Sequence, residues 1–178
     1  LLFMNLWYLL FVETRYSEAM GAVNLALAEN PNRIAFLDAK AEIYSFMNNE
    51  REALRVNTEI AAENPEDFDR LFNIAFSYRN LEELQRALQF AQDATRVSGD
   101  HPAATAALAE IHAAMGNTRE ALRLLKEVET KRNAGYAISH DWNARVEAQL
   151  GDTGAAIKSL RTAYEKREGW SFLYSMRN

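Results

Sequence analysis

Apolar residues recur along the chain at the spacing of an α-helix, and this pattern itself repeats at a fixed interval. Small and apolar residues return three or four positions apart, as on one face of an α-helix. Four alanines set the register, because Ala19, Ala53, Ala87 and Ala121 follow one another at steps of 34 residues. Ala156 continues the series after a step of 35. The pattern predicts about five units of one kind.

The sequence around these alanines also recurs, as YSEAM, EREAL, LQRAL and TREAL. Pro31 and Pro65 are again 34 residues apart, and each follows an asparagine. Because the residue before proline is pushed out of the α region, Asn-Pro predicts a helix end. Gly116 and Gly151 predict left-handed stops, followed by polar residues that cap the next helix.

Each unit therefore reads as two helices joined by a short turn. We expect the first helices at residues 1–12, 33–47, 67–79, 102–115 and 136–150. The second helices are expected at residues 17–29, 50–63, 81–97, 118–131 and 153–167.

This pattern resembles the tetratricopeptide repeat family, whose 34-residue unit follows W-x2-L-G-x2-Y, then A-x3-F, then P. The second and third units carry the resemblance most fully, with these residues: Leu37, Lys40, Ala41, Tyr44, Ala53 and Pro65, then Leu71, Ile74, Ala75, Tyr78 and Ala87. In the fifth unit Asn143 and Glu147 replace expected apolar residues.

The resemblance implies an all-α fold, an α-α superhelix (solenoid) of stacked antiparallel helical hairpins. Neighbouring hairpins must stack because none can bury its apolar face alone. The expected array covers residues 1–168, with repeats at about 1–33, 34–67, 68–101, 102–136 and 137–168. Residues 169–178 are expected to form a C-terminal cap or the start of a further element.

Composition changes this picture little. Of the 178 residues, 48% are hydrophobic and 25% are charged, as in an ordinary globular domain. The formal net charge of −5 argues against a duplex-binding surface, and the absence of cysteine excludes disulfides and thiolate metal sites. The apolar stretch Leu1 to Val12 is too short to cross a bilayer, so we expect a buried helix and no membrane span. The compartment stays undecided, with the cytoplasm slightly favoured.

The sequence offers no catalytic constellation, and we expect neither an enzyme nor a cofactor or metal. His101, His112 and His140 are not at helical metal-ligand spacing, and His112 stands where the repeat has a core tyrosine. Asp152-Thr153-Gly154 spells the aspartic-protease triplet, but that chemistry needs two such triplets on strands. We interpret it as a turn and a helix cap.

In tetratricopeptide arrays the first helix of each hairpin lines a concave groove that holds peptides. The exposed face of those helices predicts a peptide-binding groove formed by Tyr8, Asp38, Glu42, Asp69, Phe72, Phe76, Arg79, Glu110, Asp141 and Arg145. Because acidic residues outnumber arginines and aromatic residues accompany them, we expect a protein or peptide partner with basic and apolar residues, such as an amphipathic helix.

The leading hypothesis is a protein-interaction scaffold, as a module of a larger protein. The alanine-rich repeats are similar to tetratricopeptide regions attached to bacterial signalling enzymes and transcription regulators. One alternative is self-association, giving a homo-oligomer through the apolar helix at residues 1–12. A weaker alternative is RNA binding, since pentatricopeptide repeats use a similar hairpin; the acidic groove argues against nucleic acid.

Overall fold

The structure is a computed structural model that describes residues 2–29, 33–99 and 101–168. These residues form ten α-helices and no strand. The helices are α1 (Leu2–Val12), α2 (Tyr16–Glu29), α3 (Arg33–Phe46), α4 (Glu50–Glu63), α5 (Phe68–Asn80), α6 (Leu84–Val97), α7 (Pro102–Ala114), α8 (Thr118–Asn133), α9 (Asp141–Gln149) and α10 (Thr153–Glu165). The predicted stop at Asn30-Pro31 and the predicted element at 169–178 lie outside the described residues.

The chain divides into two compact units, and each is described by itself. Unit 1 (Leu1–Glu83) contains α1 to α5, and unit 2 (Leu84–Asn178) contains α6 to α10. In unit 1 every helix packs on the next, and α1 also touches α3. In unit 2 α7 packs on α6, α8 and α9, and α9 packs on α10. We call the odd-numbered helices A helices and the even-numbered ones B helices.

The five register alanines lie where helices approach closely. Ala19, Ala53, Ala87, Ala121 and Ala156 are all buried in B helices. Larger side chains fill the space beside them. In unit 1 Leu37 and Ala41 of α3 pack with Val56 and Ile60 of α4, and in unit 2 Ala109 and Ala113 of α7 pack with Ala121, Leu124 and Leu125 of α8 and Val146 of α9.

The turn from each A helix to its B helix contains one residue in the left-handed region. These residues are Thr14, Asn48, Glu82, Gly116 and Gly151, with φ of 60°, 55°, 62°, 76° and 81°. They are spaced by 34, 34, 34 and 35 residues, so the turn keeps the same phase as the alanines. The next residue donates its N–H to a carbonyl five residues back, for example Asn117 to His112 at 2.9 Å. This is the Schellman geometry that ends a helix.

The start of α6 and the cap of α8 differ from the prediction in detail, whereas the cap of α10 agrees with it. Glu82 is left-handed, so α6 begins at Leu84 rather than at residue 81. Asp152 caps α10 as predicted, since its Oδ1 accepts from the N–H of Ala155 at 2.9 Å. Asn117 makes no side-chain cap hydrogen bond, and its Nδ2 lies 3.3 Å from His112 Nδ1 instead.

The prediction of a helix over residues 136–150 is wrong at its start, because α9 begins only at Asp141. The guanidinium of Arg132 on α8 donates to the carbonyl oxygens of Ile138 (3.1 Å) and Ser139 (3.2 Å). The same guanidinium donates to Asn143 Oδ1 at 2.8 Å. These bonds hold residues 136–140 as a connecting segment, with Ile138 buried against Ala106 and Val128.

Candidate functional site

The predicted groove residues divide between the two units. Unit 1 holds Tyr8, Asp38, Glu42, Asp69, Phe72, Phe76 and Arg79, and unit 2 holds Glu110, Asp141 and Arg145. All of them lie on A helices, as the sequence predicts. The structure assembles two separate groups from them, one on α3 and α5 and one on α7 and α9.

The first group contains an arginine that the sequence analysis missed. Arg70 of α5 forms an ion pair with Asp38 of α3, and its Nε lies 3.8 Å from Asp67 Oδ2. Asp67 also caps α5, because its Oδ1 accepts from the N–H groups of Asp69 (3.0 Å) and Arg70 (3.3 Å). We call Asp38, Glu42, Asp67 and Asp69 the acidic face of unit 1. Two of its four carboxylates, those of Asp38 and Asp67, lie against Arg70.

The pKa values of two carboxyl groups of the acidic face are raised, chiefly by burial. Burial raises the pKa of Asp38, and the charges of Asp67 and Asp69 raise it further, while Arg70 opposes the change. The pKa of Glu42 is also raised. The larger cause is that neighbouring protein atoms displace water from its carboxylate, and the smaller is the charge of Asp38. Glu42 is nevertheless exposed, so a cation from outside can reach it.

Aromatic residues continue the same stretch of α5. Phe72 and Phe76 are half-buried, and their rings meet edge to face with centroids 4.5 Å apart. The guanidinium of Arg79 lies over the Phe76 ring at 5.2 Å. The spacing of four and three residues places these side chains on one helical face. On α1, Tyr8 is half-buried with its ring edge-on to Trp7 at 6.0 Å.

The second group corrects one expectation about exposure. Glu110 was expected on an exposed face, but it is buried, because α7 is enclosed by α6, α8 and α9. Its carboxylate accepts from Arg145 Nη2 of α9 at 2.9 and 3.1 Å. Arg145 also lies over the ring of Trp142 at 4.8 Å. Glu110 therefore orients Arg145, and Asp141, half-buried at the start of α9, lies nearer the surface.

The residues considered for catalysis take structural positions. His101 caps α7, with its Nδ1 accepting from the N–H of Ala103 at 3.3 Å. His112 is half-buried, and burial lowers its pKa, with the charge of Arg123 acting in the same direction and that of Glu120 against it. His140 pairs with Glu168 at 2.6 Å. Over the described ranges, the side chains form no cluster of three or more metal-ligand residues.

Among the helices of the described chain, none has the length and apolar character that a bilayer crossing requires.

Solved structures with the same arrangement of helices come from several organisms. A tetratricopeptide repeat protein from Parabacteroides merdae superposes with a TM-score of 0.72 and 20% identity, over 99% of this chain and 68% of that one. The chain has the tetratricopeptide repeat fold. A thermophilic TPR protein of Thermus thermophilus gives a TM-score of 0.71 at 20% identity, over 97% of this chain and 95% of that chain.

The nearly identical TPR-like repeats of a Podospora anserina protein match at a TM-score of 0.64 and 18% identity, over 92% of this chain and 95% of that chain. No model of a protein family matches the sequence. The comparison with curated proteins finds no match either. The predicted fold class and the prediction of about five repeats are confirmed, since the ten helices of the described residues fit about five repeats.

Proposed function

We propose that the chain is a non-catalytic protein-binding module of a larger protein, and that the A-helix face of unit 1 binds a segment with basic and apolar side chains. The tetratricopeptide family generally mediates contacts between proteins, which supports the coarse part of the proposal. The acidic face and the neighbouring phenylalanines support the choice of guest.

The observation that carries the proposal is the state of Glu42. Its carboxylate is exposed, its pKa is raised by the displaced water and by Asp38, and Arg70 is already paired with Asp38. A lysine or arginine of a guest placed there would relieve the repulsion between Glu42 and Asp38. Asp38 itself is less available, because Arg70 compensates it.

Phe72 and Phe76 supply the apolar part of the same face. Edge-to-face aromatic pairs present a rigid apolar surface, and half-buried aromatic residues are frequent anchors at protein interfaces. An amphipathic helix would place its basic residues on the acidic face and its apolar residues against the two rings. In unit 2 Asp141 and Arg145 are candidate contacts, and the buried Glu110 is a positioning residue for Arg145.

The proposal is tested with a labelled amphipathic peptide of leucine and lysine, followed by fluorescence anisotropy. Glu42→Lys should weaken binding by about fivefold or more, because it replaces an attraction by a repulsion. Glu165→Lys makes the same charge change at an exposed position of a B helix and should leave binding unchanged. Phe76→Ala should also weaken it.

A second peptide, with glutamate in place of every lysine, should not bind. Equal binding of both peptides, or equal effects of Glu42→Lys and Glu165→Lys, would show that the acidic face does not select the guest.

A further inference from the structure

The repeat places three side chains of alternating chemistry on neighbouring A helices of unit 1. Tyr8 of α1, Glu42 of α3 and Phe76 of α5 follow one another at steps of 34 residues, so they hold the same position in three successive repeats. Glu42 is exposed, and the two aromatic side chains are half-buried. We call these three residues the cross-helix row. Its order is aromatic, acidic, aromatic.

The three helices that carry the cross-helix row are neighbours within unit 1. α1 touches α3 directly, and the ion pair between Asp38 and Arg70 joins α3 to α5. Because the axes of packed helices are about 10 Å apart, the row from Tyr8 to Phe76 spans about 20 Å.

Along each A helix, in contrast, the same chemistry extends for only one turn. Asp38 and Glu42 of α3 are both acidic, and Phe72 and Phe76 of α5 are both aromatic, with four residues from one to the next in each pair. Four residues of an α-helix rise about 6 Å. The next residue on that side of α5 is the cationic Arg79. The binding face is therefore about three times longer across the helices than along them.

We infer that the guest is an α-helix that crosses the A helices of unit 1 and carries an apolar, a basic and an apolar residue at intervals of about seven positions. Seven residues of an α-helix rise about 10 Å and return to nearly the same face, which matches the spacing of neighbouring A helices. The apolar residues contact Tyr8 and Phe76, and the basic residue between them pairs with Glu42. The inference rests on the proposed function and adds the order and the spacing of the guest's residues.

An extended strand fits the cross-helix row less well than a helix. Three residues of a strand cover about 10 Å, but residues three positions apart point to opposite faces. A strand that contacted Tyr8 and Phe76 would therefore turn its middle residue away from Glu42.

Two labelled peptides of equal composition test the order of residues, with fluorescence anisotropy on the full chain. Each has about 15 residues of leucine, lysine and alanine, enough helix to span about 20 Å. The block peptide has leucine in its first and last turns and lysine in the middle. The stripe peptide has a leucine stripe and a lysine stripe along its whole length. The block peptide should bind about fivefold more tightly or better, because it brings leucine to both rings and lysine to Glu42.

Substitution of Tyr8 tests whether the guest reaches α1. Tyr8→Ala should weaken binding of the block peptide by about fivefold, whereas Tyr8→Phe keeps the ring and should retain binding. Tyr136→Ala is the matched control, because it removes an exposed tyrosine from the connecting segment of unit 2 and should leave binding unchanged. Circular dichroism should show the same helix content in all three variants. An unchanged affinity in Tyr8→Ala would overturn the inference.

The two peptides also separate failure of the inference from failure of the proposed function. Stripe-peptide binding that equals or exceeds block-peptide binding, and that Glu42→Lys weakens, would place the guest along the A helices. That result would overturn the inference and leave the proposed function standing. If neither peptide bound, or if Glu42→Lys changed neither affinity, the proposed function and the inference would both be wrong.

A third peptide tests the helical form of the guest. A polyproline helix rises about 9 Å in three residues, so a proline-rich peptide with leucine, lysine and leucine three residues apart also spans the row. It should bind more weakly than the block peptide. Tighter binding of the proline-rich peptide would overturn the helical guest.

Discussion

At the residue scale, charges are placed where the repeat otherwise has apolar side chains. Arg70 takes the position that Phe36 and Ala104, its equivalents 34 residues on either side, occupy as buried apolar residues. Such a position demands an acidic partner, and Asp38 and Asp67 supply it. Glu110 and Arg145 are equivalents of each other in neighbouring repeats and form a pair.

The sequence therefore indicates both ion pairs, Arg70 with Asp38 and Glu110 with Arg145, although the pattern of exposed helix faces does not. A charged residue at a repeat position that is buried and apolar in other repeats predicts an ion pair. Opposite charges at equivalent positions of neighbouring repeats predict which two residues form it. The sequence predicts which residues lie on the A helices. It does not predict the burial of Glu110, because that burial depends on how closely three helices enclose α7.

The left-handed turn residues lead to a prediction of stability. Thr14 is β-branched and has a φ of 60°, a region that costs non-glycine residues about 1–2 kcal/mol. Thr14→Gly should therefore raise the free energy of unfolding by about 1 kcal/mol. Thr58→Gly, at an exposed helical position of the same unit, should lower it by about 0.5 kcal/mol. Urea titration followed by circular dichroism measures both changes. A lower free energy of unfolding in Thr14→Gly would show that the backbone at Thr14 is not strained.

A second residue-scale prediction concerns pH. Burial would raise the pKa of Glu168, but hydrogen bonds from the side chain and the backbone N–H of His140 outweigh it, so the pKa lies below its ordinary value. A lowered folded-state pKa contributes stability above the unfolded-state value, and that contribution disappears as the pH falls through the folded-state pKa.

Acidification should therefore loosen the link between the start of α9 and the end of α10. Hydrogen exchange at the start of α9 should accelerate, beyond the intrinsic effect of pH, as the medium becomes acidic. Glu168→Gln should remove this pH dependence, while Glu165→Gln, at an exposed position at the end of α10, should preserve it.

At the element scale, the helices with a steady 34-residue phase could be predicted closely, and the fifth A helix could not. Its step of 35 residues is visible in the sequence, but the consequence depends on Arg132, which binds the carbonyl groups of Ile138 and Ser139 across the connection. Periodicity identifies which residues can be helical. It does not show which backbone carbonyls a side chain from the preceding helix will engage.

The packing of A and B helices predicts which alanines tolerate growth. Ala53 of α4 is completely buried, whereas Ala28 of α2 is exposed in the same unit. Ala53→Trp should lower the free energy of unfolding by about 1–3 kcal/mol, because the helices must move apart to accept the indole. Ala28→Trp adds the same volume and should change stability by less than about 0.5 kcal/mol. Thermal and urea unfolding compare the two, and equal effects would place the close helix contact elsewhere.

At the scale of the whole molecule, the charged and the apolar parts of the proposed binding face differ in the force that would act on them. The acidic face depends on carboxylates in a chain of formal net charge −5, whereas Phe72 and Phe76 beside it depend on apolar burial. Electrostatic attraction at an exposed surface is screened by salt, and apolar burial is not. Ionic strength should therefore separate the contribution of the carboxylates to peptide binding from that of the two phenylalanines.

Raising the salt concentration from about 0.1 M to about 1 M shortens the screening length from about 10 Å to about 3 Å. Binding of the leucine–lysine peptide should weaken by about fivefold or more, because the carboxylates of the acidic face are exposed to the screening ions. The Glu42→Lys chain provides the control, because its remaining binding rests more on Phe72 and Phe76 and should respond less to salt. If salt left the binding of the wild-type chain unchanged, the contact with the peptide would be apolar, and the assignment of guest selection to the acidic face would be wrong.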